Sequence, residues 1–305
     1  MIVVAFPGQG SQTPGFLEPW LADPVRRAWL EHASEVVGID LVAHGTTSDA
    51  DTIRDTAVAQ PLLVAAGLLT WQALTEAAGS HGIGGVAGHS VGEIGAAAAA
   101  GILDSDSALA LVALRGRAMA TAAAAAKTGM SAVLGADEAE LLPLLAHLGL
   151  EAANFNGGGQ IVVAGDLPAL AELQSAPPAG ARIIPLQVAG AFHTRHMASA
   201  VEALREFAGT LVTSDPVLPI WTNRDGSRAT SGKAFLDLLV GQVSSPVRWD
   251  RTMQSFSEAG ITGLIEVVPA GALTGLARRG LPGVPTVAIK TPDDLSAAIE
   301  MLENR

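Results

Sequence analysis

The sequence predicts an α/β fold: a large domain on a mostly parallel, helix-covered sheet, interrupted by a small inserted βαββαβ domain. Three observations predict it. Apolar strand-like runs alternate with helix-length segments through both ends of the chain, the pattern of a parallel sheet with helices on its faces. Between residues 127 and 190 the texture changes to short strands, short helices and a glycine-rich turn. Finally, 49% of the 305 residues are apolar, so a substantial core can form.

The elements follow in order. "IVVAF" reads as a buried first strand, and "PGQGSQTPG" as the loop after it. Helical patterns run from Pro24 to Val37 and from Gln60 to Ala77. "GGVAG" is a short strand of small residues ending at Gly88. "GEIGAAAAAGIL" is a helix stopped by Gly101, and Asp104 is the expected N-cap of the next helix, "SALALVALRGRAMATAAAAA". "MSAVLG", "EAANFNG", "QIVVAG" and "ARIIPLQV" are strands. "DEAELLPLLAHL", apart from its internal Pro143, and "LPALAELQS" are helices. That order is the ferredoxin-like unit. Residues 127–190 are therefore expected to form the small domain, and residues 1–126 with 191–305 the large one. "PVLPIWTN", "GLIEVVP", "GALTGLARRG" and "TVAIK" resume the alternation of strand and helix.

Composition excludes several function classes. The net charge of −12 argues against general nucleic-acid binding. Cysteine is absent, which removes disulfides, thiolate metal sites and a cysteine nucleophile. The seven histidines form no H-E-x-x-H pattern, and no metal site is expected. No run of about 20 apolar residues is free of glycine and polar breaks, so no membrane span is expected. "MIVVAFPGQG" carries no basic segment or small-residue cleavage site. A cytoplasmic monomer is the expectation.

Ser90 lies between Gly88 and Gly92 in "GHSVG", after a strand and before a helix. G-x-S-x-G in that setting is a nucleophile elbow, in which small flanking residues allow a sharp turn that exposes the hydroxyl. The helix N-terminus offers amides to a developing oxyanion. A serine needs a base, and His193 in "GAFHTRHM" is the leading candidate, with His196 nearby and His89 in a supporting role. In α/β-hydrolases the order is Ser, acid, then a histidine near the C-terminus. Here His196 is the last histidine, with more than a hundred residues after it. The large domain is thus hydrolase-like in its elbow but belongs to another serine-dependent fold. Arg115 stands on an otherwise apolar helix, where an unpaired cation would be costly if buried.

Six stretches in order, "FPGQGSQ", "GHSVGE", "LRGRAM", "NFNGGGQIVVAG", "GAFHT" and "QVSSPVRW", resemble the malonyl-CoA:acyl carrier protein transacylase family, over almost the whole chain. The likeness is greatest to the free-standing bacterial enzymes of fatty acid or type II polyketide synthesis. One departure lies in "EVVPAGALTGL", where Val268 and Ala270 stand at positions the family usually fills with glycine. The resemblance implies that Ser90 is acylated by malonyl-CoA and that His193 is its base. It further implies that the Gln242 backbone carbonyl, rather than an acid, orients the imidazole; on the residues alone Asp250 and Glu266 remain backup acids. By the same resemblance the Gln9 and Val91 amides form the oxyanion hole. Arg115, rather than Arg117, binds the malonyl carboxylate with two parallel hydrogen bonds, and Phe192, Asn154, Asn156 and His89 line the substrate pocket. The acceptor would be the phosphopantetheine thiol of acyl carrier protein. Arg182, Arg195, Arg278 and Arg279 are candidates for meeting that acidic partner. No metal or redox cofactor is expected. The alternatives are an acyl-CoA or acyl-carrier-protein thioesterase and a catalytically silent acyl-CoA- or carrier-binding protein.

Overall fold

The computed structural model describes residues 1–79 and 81–304. Strands β1 (Ile2–Phe6) and β2 (Ile83–Gly88) precede a run of four, β3 (Thr128–Leu134), β4 (Glu151–Gly157), β5 (Gln160–Asp166) and β6 (Arg182–Pro185). After them come β7 (Ile220–Trp221), β8 (Arg228–Ala229), β9 (Val247–Arg248), β10 (Gly263–Glu266) and β11 (Thr286–Ala288). The larger sheet has the order β11-β10-β1-β2-β7-β8 and is parallel except for the β7–β8 pair. All five residues of β1 are buried, as expected of a central strand covered on both faces.

Register is what builds the site. Phe6 pairs with Gly88, so β1 and β2 end side by side and their following loops meet at one edge of the sheet. Ligands of open α/β sheets gather at that edge. Helices Thr56–Ala78, Gly92–Ala99 and Ser105–Ala124 pack on one another beside this sheet. The first of these is long and apolar enough to cross a membrane by composition, but most of it is buried in the core of this fold. Asp104 caps Ser105–Ala124 as the sequence predicts, accepting from the Ser107 amide at 2.7 Å.

The second sheet has the order β6-β3-β5-β4-β9, with the four strands of the βαββαβ unit antiparallel. Leu141, Leu145, Leu170 and Leu173 from its two helices, Glu138–Leu148 and Leu167–Ser175, cover one face with a core of their own. From the other face Met130, Val162 and Ala164 join the main core.

Some elements differ from expectation. Pro143 lies inside a continuous helix, Glu138–Leu148, where burial of Leu141 and Leu145 offsets the lost hydrogen bond and the ring's clash with the preceding turn. "PVLPIWTN" and "ARIIPLQV" pair over only two and four residues, since their prolines withhold ladder donors. A short helix at Leu41–Thr46 and the two-residue strand β9 were not expected. Strand β9 runs parallel to β4, with Asn154 opposite Val247, and so ties the 242–249 segment to the small sheet.

Candidate active site

Ser90 occupies the turn between β2 and helix Gly92–Ala99 with φ 54°, a left-handed conformation that side chains other than glycine seldom take. The flanking glycines are required by close approach. A Cβ on Gly88 would sit 2.0 Å from the Gly92 carbonyl carbon, and one on Gly92 would sit 2.1 Å from the Phe6 oxygen. Strain of this kind gathers at functional sites. The base candidate shares it, since His193 has φ 62°.

The two side chains meet. Ser90 Oγ lies 2.7 Å from His193 Nε2, and His193 Nδ1 lies 2.9 Å from the Gln242 main-chain oxygen. A carbonyl can only accept, so Nδ1 carries the proton and Nε2 keeps the lone pair that receives the serine hydroxyl. Burial pushes the His193 pKa down to about 3, with the Arg115 cation pushing the same way and the Gln242 carbonyl opposing. The imidazole is therefore neutral at neutral pH. His196 does not join this pair; its buried Nε2 has no partner among the described residues. Asp250 and Glu266 are occupied elsewhere. Asp250 pairs with Arg248, and Glu266 accepts from the Gly271, Leu273 and Thr274 amides at the start of a helix.

Arg115 is only 3% exposed, whereas Arg117 faces solvent. The Arg115 guanidinium donates to Gln60 Oε1 (2.7 Å), Gln242 Oε1 (3.1 Å) and Ser90 Oγ (3.3 Å). Among the described residues no carboxylate lies within 4.0 Å of it. The Glu93 carboxyl is pushed up to about 8 by burial, against the Asn223 amide and the Arg115 charge, and is neutral at pH 7. Burial lowers Arg115 itself to about 10, with Glu93 opposing.

A cleft between the two sheets is lined by Gln9, His89, Ser90, Val91, Arg115, Asn154 and Phe192, among others. Neither the Gln9 nor the Val91 amide finds an acceptor among the described residues. The Gln9 side chain turns away and donates to the Arg54 carbonyl. His89 Nε2 lies 3.0 Å from Asn156 Oδ1, its ring stands edge-on to Trp249, and burial lowers its pKa. The buried Oδ1 of Asn154 has no partner among the described residues. Phe192 is 7% exposed and lies against both the cleft and the core.

The four outlying arginines are exposed. Arg195 pairs with Glu151, and Arg279 donates to Gln160. Val268 and Ala270 are buried at ordinary φ, so this loop keeps its course without glycine there. Among the described residues no three His, Cys, Asp or Glu side chains are grouped to hold a metal. Sequence reasoning missed Gln60, Glu93, Asn223 and the side chain of Gln242. The one available signal was an amide or carboxyl set in, or directly after, an otherwise apolar element.

A family model described as an acyl transferase domain matches residues 3–290. The chain is 49% identical over 298 residues to the malonyl CoA-acyl carrier protein transacylase of Mycobacterium tuberculosis, covering 97% of this chain and 98% of that one. A crystal structure of the transacylase from that organism superposes with a TM-score of 0.95 at 48% identity, over 98% of this chain and 99% of the other. A malonyl-transacylase solved in complex with its type II polyketide acyl-carrier protein gives a TM-score of 0.92 at 32% identity, over 100% and 99% of the two chains.

Proposed function

The chain belongs to the acyl transferase family, and we propose that it is a malonyl-CoA:acyl carrier protein S-malonyltransferase supplying fatty acid or polyketide synthesis. Its substrates are malonyl-CoA and an acyl carrier protein, and a cytoplasmic location belongs to the same proposal. Ser90 Oγ attacks the thioester carbonyl while His193 Nε2 takes the hydroxyl proton. The C–S bond breaks, and His193 returns the proton to the departing coenzyme A sulfur. The malonyl ester on Ser90 then meets the phosphopantetheine thiol, which gives its proton to His193 as the new C–S bond forms. Cleavage of the ester C–O bond restores the Ser90 hydroxyl with that proton. No step calls for a metal or redox group.

The observation that carries this reading is the buried Arg115 guanidinium, unpaired by any carboxylate among the described residues and 3.3 Å from the serine hydroxyl. A substrate with a free carboxylate supplies the missing partner. The unengaged Gln9 and Val91 amides support an oxyanion hole, since backbone donors left free beside a nucleophile can hold developing charge. Cleft positions support Asn154, His89 and Phe192 as pocket residues, and Asn156 as the residue that holds His89. The division into residues 127–190 and the remainder is also proposed. It is supported by the separate core of β3–β6 and their helices.

The test is intact mass after mixing with malonyl-CoA. The protein should gain one malonyl group, which carrier protein should remove while becoming malonylated itself. Ser90→Ala should gain none, with transfer lower by about 10³-fold or more. Release of free malonate in place of transfer would favour a thioesterase. Failure to form any ester would favour a silent binding protein.

A further inference from the structure

Asn223 follows β7 at the edge of the large sheet where the nucleophile turn lies, and it is fully buried. Every polar atom of its carboxamide is engaged at the site. Oδ1 accepts the Ser90 amide at 2.7 Å and Gln242 Nε2 at 3.3 Å, while Nδ2 donates to the Gly88 carbonyl at 2.7 Å. One side chain thus grips the turn on both sides of its left-handed residue. Its own amide donates to Glu93 Oε1 at 2.7 Å, which anchors it to the helix that follows the turn.

Gln242 carries the linkage further. Its side-chain oxygen accepts from Arg115, and its main-chain oxygen accepts from His193 Nδ1. Nucleophile, base and cation are therefore joined through Asn223 and Gln242. Without these bonds the Ser90 backbone has a lower-energy conformation available at φ < 0, which would carry Oγ away from Nε2.

We propose that Asn223 is a positioning residue for the acylation step: its carboxamide holds Ser90 in the left-handed turn and, through Gln242, keeps His193 and Arg115 in register with it. The inference rests on the reading of Ser90 as nucleophile.

The experiment is single-turnover acylation by malonyl-CoA, followed by mass, in the full chain. Asn223→Ala should slow the saturated rate roughly 30- to 300-fold, the scale of loss for misplaced reacting groups. The half-saturating malonyl-CoA concentration should move less than about threefold, because Gln60 still holds Arg115. Asn223→Asp distinguishes positioning from mere support. A protonated carboxyl presents one acceptor and one donor, as the amide does, whereas a carboxylate cannot donate to the Gly88 carbonyl. The rate of Asn223→Asp relative to wild type should therefore rise about tenfold or more between about pH 8 and about pH 5. Glu93 accepts from the Asn223 amide, Arg115 and His193 bond to its partner Gln242, His89 precedes Ser90, and Arg248, whose side chain pairs with Asp250, donates its amide to the Asn223 carbonyl. The ratio cancels titrations common to both proteins, and repeating it in a Glu93→Gln background removes the coupling between Glu93 and the new carboxyl. A folded Asn223→Ala with a rate within about threefold of wild type, or a flat Asn223→Asp ratio, overturns the proposal. If Asn223→Ala does not fold, the Asn223→Asp profile decides alone. Ser90→Ala runs alongside: acylation persisting there refutes the nucleophile reading itself, whereas its loss with normal Asn223 variants refutes only this inference.

Discussion

Arg115→Ala should separate malonyl from acetyl transfer. The guanidinium is buried with no carboxylate among the described residues within ion-pair distance, and burial lowers its pKa to about 10. A shift of that size corresponds to roughly 3 kcal/mol against holding the charge there. A docked malonyl carboxylate recovers that penalty, because it provides the opposite charge within a dry site. Truncation removes the recovery, and losing one partner of a buried pair costs about 3–5 kcal/mol. Relief of the arginine's own desolvation offsets part of this, which leaves about 3 kcal/mol, or roughly 150-fold in kcat/KM. Acetyl-CoA brings no carboxylate and should lose no more than about tenfold, through the weaker contact to Ser90. The assay is kcat/KM for both donors with carrier protein as acceptor, in wild type and mutant. Gln60 and Gln242 are left with open acceptors, so a lower Tm is also expected. Equal fractional losses for both donors would show that Arg115 only supports the fold, and the carboxylate argument would fail.

Three further outcomes are expected. His193→Ala should lower acylation by about 10³-fold or more with the circular dichroism spectrum retained, while His196→Ala stays within about tenfold; comparable losses would displace His193 as the base. Phe192→Ser should narrow the preference for malonyl-CoA over methylmalonyl-CoA, since one methyl group in a pocket is worth about 1–3 kcal/mol; an unchanged ratio of kcat/KM values would place the ring outside the substrate space. Glu93 has a folded pKa raised from 4.5 to about 8, so the native state holds a proton that the unfolded chain has released. Its contribution to stability is complete below about pH 4.5 and is lost as pH rises through about 8. Glu93→Gln should therefore flatten the decline of Tm across that window, and an unchanged slope would refute the assignment.

The parts of the site legible in the sequence are those with a short local signature. Gly88, Ser90 and Gly92 announce a turn because their spacing reflects backbone crowding, 2.0 and 2.1 Å at the two glycines. The βαββαβ unit is legible because each of its elements is bounded by turn residues. Asn223 was not, because it lies two residues past a strand of only two paired residues, at the end of a proline-broken run. Gln60 lies beside Pro61 in a helix whose apolar character hides one amide. Strand β9 is two residues long and pairs with a segment about ninety residues earlier, and no local pattern encodes that contact. The missed residues share one physical trait: each acts through a long-range hydrogen bond made only after the sheets assemble.

Burial is the main reason that the proposed base is so weak, and the Arg115 charge adds to it. Before substrate binds, Arg115 contributes a positive charge, Glu93 is neutral and His193 is neutral with its pKa near 3. Part of that depression comes from the Arg115 cation. On the proposed route the malonyl carboxylate neutralises this cation at the moment when Nε2 must accept the serine proton. The donor thus strengthens the base that activates its own attacker, whereas acetyl-CoA leaves the cation uncompensated. Removing Arg115 also removes that depression for every donor. Acetyl transfer therefore gains a stronger base as it loses the contact to Ser90, while malonyl transfer loses its anchor. The two donors should diverge in the mutant for this reason as well as for the missing ion pair.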